Sequence, residues 1–172
     1  SFAVTTASTT AAIHYNTINL SATSGGTTFS TAALYVSSSA TATTAALTLR
    51  NNILINNSTP VGATGYSVAY WRSGVDLANY VSTSNNNDLY AGTPSANNLI
   101  FFDGTNADQT IGAFKARVAP RESSSISENP NFLSTTGSSP DFLHINTTIA
   151  TQIESGGVPV AGVTTDYDGD TR

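Results

Sequence analysis

The chain has no cysteine and few charged side chains. Only 10% of its 172 residues are charged, with six Lys and Arg against eleven Asp and Glu. The absence of cysteine excludes disulfides and thiolate metal sites. Because the net charge is −5 and the basic residues are scattered along the chain, we expect neither nucleic acid nor an anionic membrane surface as a partner.

Long apolar runs are also absent. No segment approaches the roughly 20 apolar residues that a helix needs to cross a bilayer, so the sequence predicts no membrane insertion. No charged segment followed by an apolar one precedes the first predicted strand, as it would in a signal peptide. The chain begins at Ser1 rather than at a methionine, and we therefore expect it to be part of a longer protein.

Helical periodicity is scarce, whereas short β-branched and aromatic segments recur between clusters of Gly, Ser, Asn and Pro. This pattern predicts an all-β protein. With 39% hydrophobic residues and a small net charge the chain is expected to fold, and its length suits one domain over residues 1–172. The predicted strand segments are Ala12–Ala22, Thr28–Ser37, Ala45–Asn56, Ser67–Trp71 and Asn98–Phe102.

An internal repeat accompanies these segments. Asn16–Leu20 (NTINL) aligns with Asn51–Ile55 (NNILI) at an offset of 35 residues, and one further step reaches Asn86–Tyr90 (NNDLY). Such a period is typical of solenoids, in which successive turns stack on one another. The end turns of a stack are exposed, so we expect adjoining domains or end-to-end self-association to cover the ends at Ser1 and Arg172.

The repeat predicts a role for its asparagines. Parallel strands stacked about 4.8 Å apart can join identical amides into a hydrogen-bonded ladder. The predicted ladder consists of Asn16, Asn51 and Asn86. In this register Ile53 and Ile55 point into the core, while Asn56 and Asn57 face outward at a corner.

Residues 108–118 are the segment with helical spacing, because their apolar side chains lie three and four residues apart. They predict a short amphipathic helix. Asp108 is expected to cap the N-terminus of this helix, and Ala119-Pro120 is expected to end it.

The order of several short motifs resembles a known family. The motifs are LRNNILINN (Leu49–Asn57), STSNNNDLY (Ser82–Tyr90), ENPNFLS (Glu128–Ser134), DFLHIN (Asp141–Asn146) and VTTDYDGDTR (Val163–Arg172). In this order they resemble the right-handed parallel β-helix domains of large secreted bacterial surface proteins, above all those of Bacteroidetes. The resemblance implies that ENPNFLS and DFLHIN form the last turns and that DYDGDTR closes the helix.

The resemblance also implies an extracellular or cell-surface location and a choice among functions. Related β-helices serve as adhesin stalks, as polysaccharide-binding modules, and as lyases or hydrolases, and the fold alone does not decide among these. We expect a non-catalytic module, a structural spacer or an adhesin segment of a bacterial surface protein. A polysaccharide lyase or glycoside hydrolase is the alternative. The central acids for such chemistry are Asp76, Asp88, Asp103 and Asp108.

Aromatic residues are concentrated in GYSVAYWRSGVDLANY (Gly65–Tyr80). Because aromatic rings stack on the apolar faces of sugars, this segment is the predicted glycan-binding site. The predicted binding residues are Tyr66, Tyr70, Trp71, Arg72 and Tyr80. The alternative is that alternate members of the set fill the core while Arg72 packs over an outward ring.

The acidic segment DYDGD provides the predicted metal ligands, Asp166, Asp168 and Asp170, with the hard oxygens that Ca²⁺ prefers. Gly169 is the fourth residue of this run, whereas an EF-hand loop requires glycine at its sixth position. We therefore expect a turn in which the aspartates accept backbone N–H groups and pair with Arg172, and no bound cofactor. Calcium is the alternative.

Overall fold

The structure is a computed structural model that describes residues 9–166 and 168–171. Within these ranges nine strands and one short helix are present. The strands are β1 (Thr10–His14), β2 (Thr17–Leu20), β3 (Thr31–Val36), β4 (Ala46–Arg50), β5 (Ile53–Asn56), β6 (Ser67–Arg72), β7 (Asp88–Tyr90), β8 (Asn98–Phe102) and β9 (Ala107–Asp108), and the helix is α1 (Ile111–Val118). The predicted mostly β composition is confirmed.

Strands that are two or three elements apart in the chain pair in parallel. The sheets have the orders β1-β4, β2-β5-β7 and β3-β6-β8-β9, and we call the three sheets together the stack. Thr17 pairs with Ile53, 36 residues later, and Ile53 pairs with Asp88, 35 residues later. The repeat seen in the sequence is therefore the spacing between stacked strands. Only β9 runs antiparallel to its neighbour, β8.

Two of the predicted strand segments are each two strands that are separated by a bend. Tyr15 follows β1 and Asn51 follows β4, with φ angles of 57° and 56°, and Asn86 has the same left-handed backbone before β7, with φ 60°. Asparagine tolerates this conformation better than most residues. The bend redirects the chain from one sheet of the stack to the next.

The predicted register of the asparagine ladder is wrong by one residue. The amides that bond to each other belong to Asn16, Asn52 and Asn87, through contacts of 3.2 Å and 2.9 Å. Asn51 and Asn86 form the bends instead. Either asparagine of an Asn-Asn pair fits the sequence pattern. Because the first asparagine of the pair has the left-handed backbone of the bend, only the second faces its counterpart along the stack.

The core lies between the three sheets. Leu54 pairs with both Ile18 and Leu89 along one column, and all three contact the same apolar cluster. Ile53 and Ile55 alternate with Leu54 and therefore lie on the opposite face of the sheet, so the predicted orientation toward this cluster is wrong, although Ile55 is fully buried. The predicted outward position of Asn56 is also wrong, because Asn56 is fully buried and donates to the Val68 carbonyl at 2.9 Å.

Helix α1 packs against the last strands of the stack. Phe114 and Val118 are fully buried, and the Phe114 ring stacks on Phe101 with 5.0 Å between centroids. The helix begins three residues later than predicted, and Thr110 is its N-cap, accepting from the Ala113 N–H at 3.3 Å. The segment to which α1 belongs is thus confirmed. In residues 9–166 and 168–171 no helix has the length and apolar character for crossing a membrane.

The predicted capping role of Asp108 is wrong. Pairing of β9 with β8 holds this residue in an extended strand. Its carboxylate instead accepts two hydrogen bonds from Arg117, at 2.6 Å and 2.7 Å. The ion pair joins the helix to the strand that precedes it.

The chain after α1 does not extend the stack with further strands. Among the described residues, 127–166 and 168–171 contain only isolated bridges, such as the antiparallel bridge from Phe132 to Ile145. The two motifs that the resemblance places in successive last turns therefore pair with each other. Asn129 and Val158 contact Asn57 and Asn51, so this part of the chain lies along the stack.

Candidate functional site

Four aromatic side chains form one surface on the outside of the stack. Tyr35, Trp71 and Phe102 occupy paired positions on β3, β6 and β8, one above the other. Tyr66 precedes β6 and contacts the rings of Trp71 and Phe102. We call Tyr35, Tyr66, Trp71 and Phe102 the aromatic face. Tyr35 is 47% exposed, and the other three are partly exposed.

The rings of the aromatic face support one another. The Trp71 centroid lies 6.2 Å from that of Tyr35 and 5.0 Å from that of Phe102, with interplanar angles of 58° and 74°. Such tilted and edge-to-face arrangements are those that aromatic pairs prefer, and each is worth about 0.5–1.5 kcal/mol. The face is therefore a continuous uncharged surface whose side chains are held in place by their neighbours.

Three of the five predicted glycan-binding residues are not on the surface. Tyr70, Arg72 and Tyr80 are fully buried, and the prediction that they contact a glycan is wrong. The reason is strand alternation, because β6 directs Tyr70 and Arg72 inward and Trp71 outward. Tyr66 and Trp71 remain candidates. Arg72 also packs over rings as predicted in the alternative, but over the inward rings of Tyr70 and Tyr80, at 6.0 Å and 5.5 Å from their centroids.

Sequence reasoning missed Tyr35 and Phe102. Tyr35 precedes Trp71 by the 36 residues that separate paired strands, so extending the repeat to β3 would have found it. Phe102 follows Trp71 by only 31 residues, because the connection from β6 to β8 is shorter than the one before it. No constant period in the sequence points to Phe102.

The buried Arg72 guanidinium has polar partners but no carboxylate in contact. It donates to the Tyr70 hydroxyl at 2.7 Å, to the Asp76 carbonyl at 3.0 Å and to the Asn79 side-chain oxygen. Burial raises the pKa of Tyr70 to about 12, although Arg72 opposes this shift. The phenol therefore stays protonated at physiological pH and accepts from the guanidinium.

Glu122, like Arg72, is a fully buried residue with an ionisable side chain. Its carboxyl accepts from the Tyr80 hydroxyl and from the Ser125 hydroxyl, and both of its oxygens accept from the Asn87 NH₂ group, at 3.0 Å and 2.9 Å. Burial raises the pKa of Glu122, and the hydrogen bonds from Asn87, Ser125 and Tyr80 oppose that shift. Burial is also the main cause that raises the pKa of Tyr80, and the charge of Glu122 raises it further.

The asparagine ladder ends at Glu122. Asn16 donates its side-chain N–H to Asn52, Asn52 donates to Asn87, and Asn87 donates to Glu122. Each amide in the series donates in the same direction, so the final position requires an acceptor, and the oxygens of the Glu122 carboxyl serve as that acceptor. Because Glu122 is fully buried, no substrate reaches it, and its contacts hold the core together.

Two of the four central acids proposed for polysaccharide cleavage, Asp103 and Asp76, differ in their surroundings. Burial raises the pKa of Asp103, but hydrogen bonds from the Asn106 side chain and from the Asn106 and Thr105 N–H groups outweigh this and leave the pKa lowered. Asp103 is thus the acceptor of a tight turn. Asp76 is exposed, and its backbone carbonyl accepts from the Arg72 guanidinium.

The acidic segment forms the predicted turn. One carboxylate oxygen of Asp166 accepts from the N–H groups of Asp168 and Asp170, at 3.0 Å and 2.9 Å, and Gly169 has a left-handed φ of 89°. Asp168 lies 3.1 Å from the His144 imidazole. The proposed partner Arg172 lies outside the described residues. Among those described, no three His, Asp or Glu residues are grouped as metal ligands, and calcium at the aspartates stays a prediction.

Comparison with protein-family models, with curated proteins and with solved structures found no match to the chain. The function must therefore be argued from the geometry. One surface feature of that geometry is an uncharged row of rings on the outer face of a parallel sheet.

Proposed function

We propose that the chain is a right-handed parallel β-helix module of a secreted bacterial surface protein, a non-catalytic spacer or adhesin segment that binds a glycan. The parallel pairing of strands at intervals of 35 and 36 residues in the stack supports the β-helix assignment. Adjoining domains or a second copy of the module would cover the ends of the stack.

The aromatic face carries the proposal for binding. Its rings lie on consecutive strands, and the 6.2 Å and 5.0 Å spacings between centroids form a row that crosses β3, β6 and β8. A row of uncharged rings suits the apolar C–H faces of successive sugars in a neutral chain. A polyanionic glycan is disfavoured, because the net charge of the protein is −5 and the face carries no cation.

Trp71 provides a direct test, because it is the only tryptophan of the chain and lies within the aromatic face. A panel of neutral and uronic-acid glycans should be screened on an array and then titrated in solution while tryptophan emission is recorded. Binding of a neutral chain should change the emission, and Trp71→Ala should abolish retention on the array. Phe142→Ala is the matched control, because Phe142 is 42% exposed and contacts none of the four rings.

Three results would speak against the proposal. These are no retention of any glycan by the parent protein, equal retention by the parent and by Trp71→Ala, and equal losses for Trp71→Ala and Phe142→Ala. Release of product from the same panel, lost on Asp103→Asn while the fold is kept, would favour the enzymatic alternative instead.

A further inference from the structure

A cavity of about 290 Å³ lies on a different sheet from the aromatic face. One wall is the outer face of the β2-β5-β7 sheet, and the opposite wall is the segment 152–157. Its volume is at the lower end of the roughly 300–1,000 Å³ of small-molecule sites. Ile53, Ile126 and Ile153 supply apolar lining. The space therefore suits one compact ligand with an apolar body.

Hydrogen bonds to the bends of the stack hold the wall segment 152–157 and the adjoining Val158 in place. The Asn51 amide pairs with the backbone of Val158, donating to its carbonyl at 2.7 Å and accepting from its N–H at 3.0 Å. The Tyr15 hydroxyl donates to the same carbonyl at 2.8 Å, and the Asn86 amide donates to the Gly156 carbonyl at 3.0 Å. The cavity is thus formed before any ligand arrives.

Asp88 is the charged side chain among the described residues that line the cavity. It alternates with the inward Leu89, so its carboxyl leaves the outer face of β7 toward the segment that covers the sheet. The residue is only 3% exposed. One carboxyl oxygen accepts from the Glu128 N–H at 2.8 Å, whereas the other, Oδ2, has no hydrogen-bond partner among the described residues and is closed off from solvent, so a ligand reaches it only when the carboxyl rotates toward the cavity.

An unpaired carboxylate oxygen in a buried setting is unfavourable, and a ligand that supplies the missing donor removes that cost. No basic side chain lines the cavity among the described residues, and Glu128 adds further negative charge nearby. These charges disfavour an anionic ligand. A hard metal cation would need about six or more oxygen ligands, whereas the cavity offers one carboxylate. A neutral ligand would leave the ionised form of Asp88 uncompensated.

We propose that this cavity binds a small primary ammonium compound, whose N–H groups donate to Asp88 Oδ2 while its body contacts Ile53, Ile126 and Ile153. This inference does not depend on the proposed glycan binding, because it concerns another sheet and another chemistry. The ammonium could belong to an amino sugar or to a simple aliphatic amine, and the two are distinguished by separate probes.

The test compares ligands that share a body but differ in charge. Cyclohexylamine and cyclohexanol form one pair of probes, and glucosamine and glucose form the other. Each is titrated into the intact chain at pH 7, with calorimetry in two buffers of different ionisation enthalpy. One amine should bind at least about tenfold more tightly than its neutral counterpart, because only the cation pairs with the buried carboxylate.

Proton release gives a second readout. Burial, and next the charge of Glu128, raise the pKa of Asp88 to about 7, so half of the molecules carry a proton at pH 7. A bound ammonium lowers that pKa, and roughly half a proton should therefore leave per ligand bound. Asp88→Asn should lose both the binding and the proton release, whereas Asp76→Asn, at an exposed site, should retain both.

Ile153→Trp is a second variant that does not alter the stack. It should weaken amine binding by filling the cavity, and it keeps the proposal testable if Asp88→Asn does not fold. Equal affinity of amine and neutral counterpart in both pairs of probes, or unchanged amine binding in either cavity variant, would overturn the proposal. So would saturable binding of Ca²⁺ with no binding of either amine. A failure at this site leaves glycan binding by Trp71 untouched, and the converse also holds.

Discussion

Replacing Asn52 by aspartate tests whether the asparagine ladder stabilises the stack. The Asn52 side chain is almost completely buried, and its NH₂ group donates to the Ile13 carbonyl at 2.8 Å, the Arg50 carbonyl at 3.0 Å and the Asn87 side-chain oxygen at 2.9 Å. Aspartate has nearly the same shape, but it places an oxygen where these three acceptors require a donor.

The expected loss follows from these contacts. An acceptor left without its donor in a buried site costs roughly 1–3 kcal/mol. Arg50 keeps the Tyr15 N–H at 3.2 Å as a partner, and Asn87 keeps the Asn52 N–H at 3.0 Å, so the loss at these two acceptors is partial. The new carboxyl must also remain protonated or bury a charge beside these oxygens. Together these effects should lower the free energy of unfolding by about 3–5 kcal/mol.

Urea denaturation followed by far-UV circular dichroism measures this loss. Asn57→Asp is the matched control, because Asn57 is exposed and its nearest described amide partner is Asn129 at 3.2 Å. The control should stay within about 0.5 kcal/mol of the parent. A loss below about 1 kcal/mol for Asn52→Asp, with an unchanged m value, would show that the ladder contributes little and would refute the reasoning.

Three further predictions concern stability. In the folded protein the pKa of Asp88 is about 7, against an ordinary 3.8, so its contribution to stability is complete below pH 3.8 and is lost as the pH rises to 7. The free energy of unfolding should therefore fall by up to about 4 kcal/mol over this range. Urea titrations of Asp88→Asn should lack that fall. Phe114→Ala removes a fully buried ring and should cost about 3–5 kcal/mol in the same assay, whereas exposed Phe142→Ala should not. Asp108→Asn should lower the thermal midpoint by weakening the two hydrogen bonds from Arg117, and addition of salt should lower the midpoint of the parent more than that of the variant.

The aromatic segment shows how far local pattern reaches. Its composition indicated a cluster of rings, and β6 does place Trp71 on the outer face. Which residues accompany Trp71 depends on strand pairing, because Tyr35 and Phe102 come from neighbouring strands and not from its own. Tyr80 looked equivalent to Tyr66 in the sequence, yet it packs inside against Arg72 and Glu122.

The asparagine pairs show the same limit at single-residue scale. The sequence predicted the stacking interval, but a ladder at Asn51 and a ladder at Asn52 have the same pattern. The bend after β4 decides between them, because the residue with left-handed backbone bonds to Val158 while the next one bonds along the stack. A shift of one residue reverses which side chains are inside, and so Leu54 rather than Ile53 reaches the core.

The sequence by itself determined the β class, the interval of 35 to 36 residues between the strands of the β2-β5-β7 sheet, the short helix near its predicted place and the acidic turn. Each of these depends on residues that are near in the chain or that recur at a nearly constant spacing. Only the tertiary structure decided which side chains face outward, where the ladder ends and how the cavity is enclosed. Val158 reaches Asn51 across 107 residues, from a segment with no repeat of its own. Contacts of that kind depend on how the folded chain returns to itself, and local sequence carries no record of it.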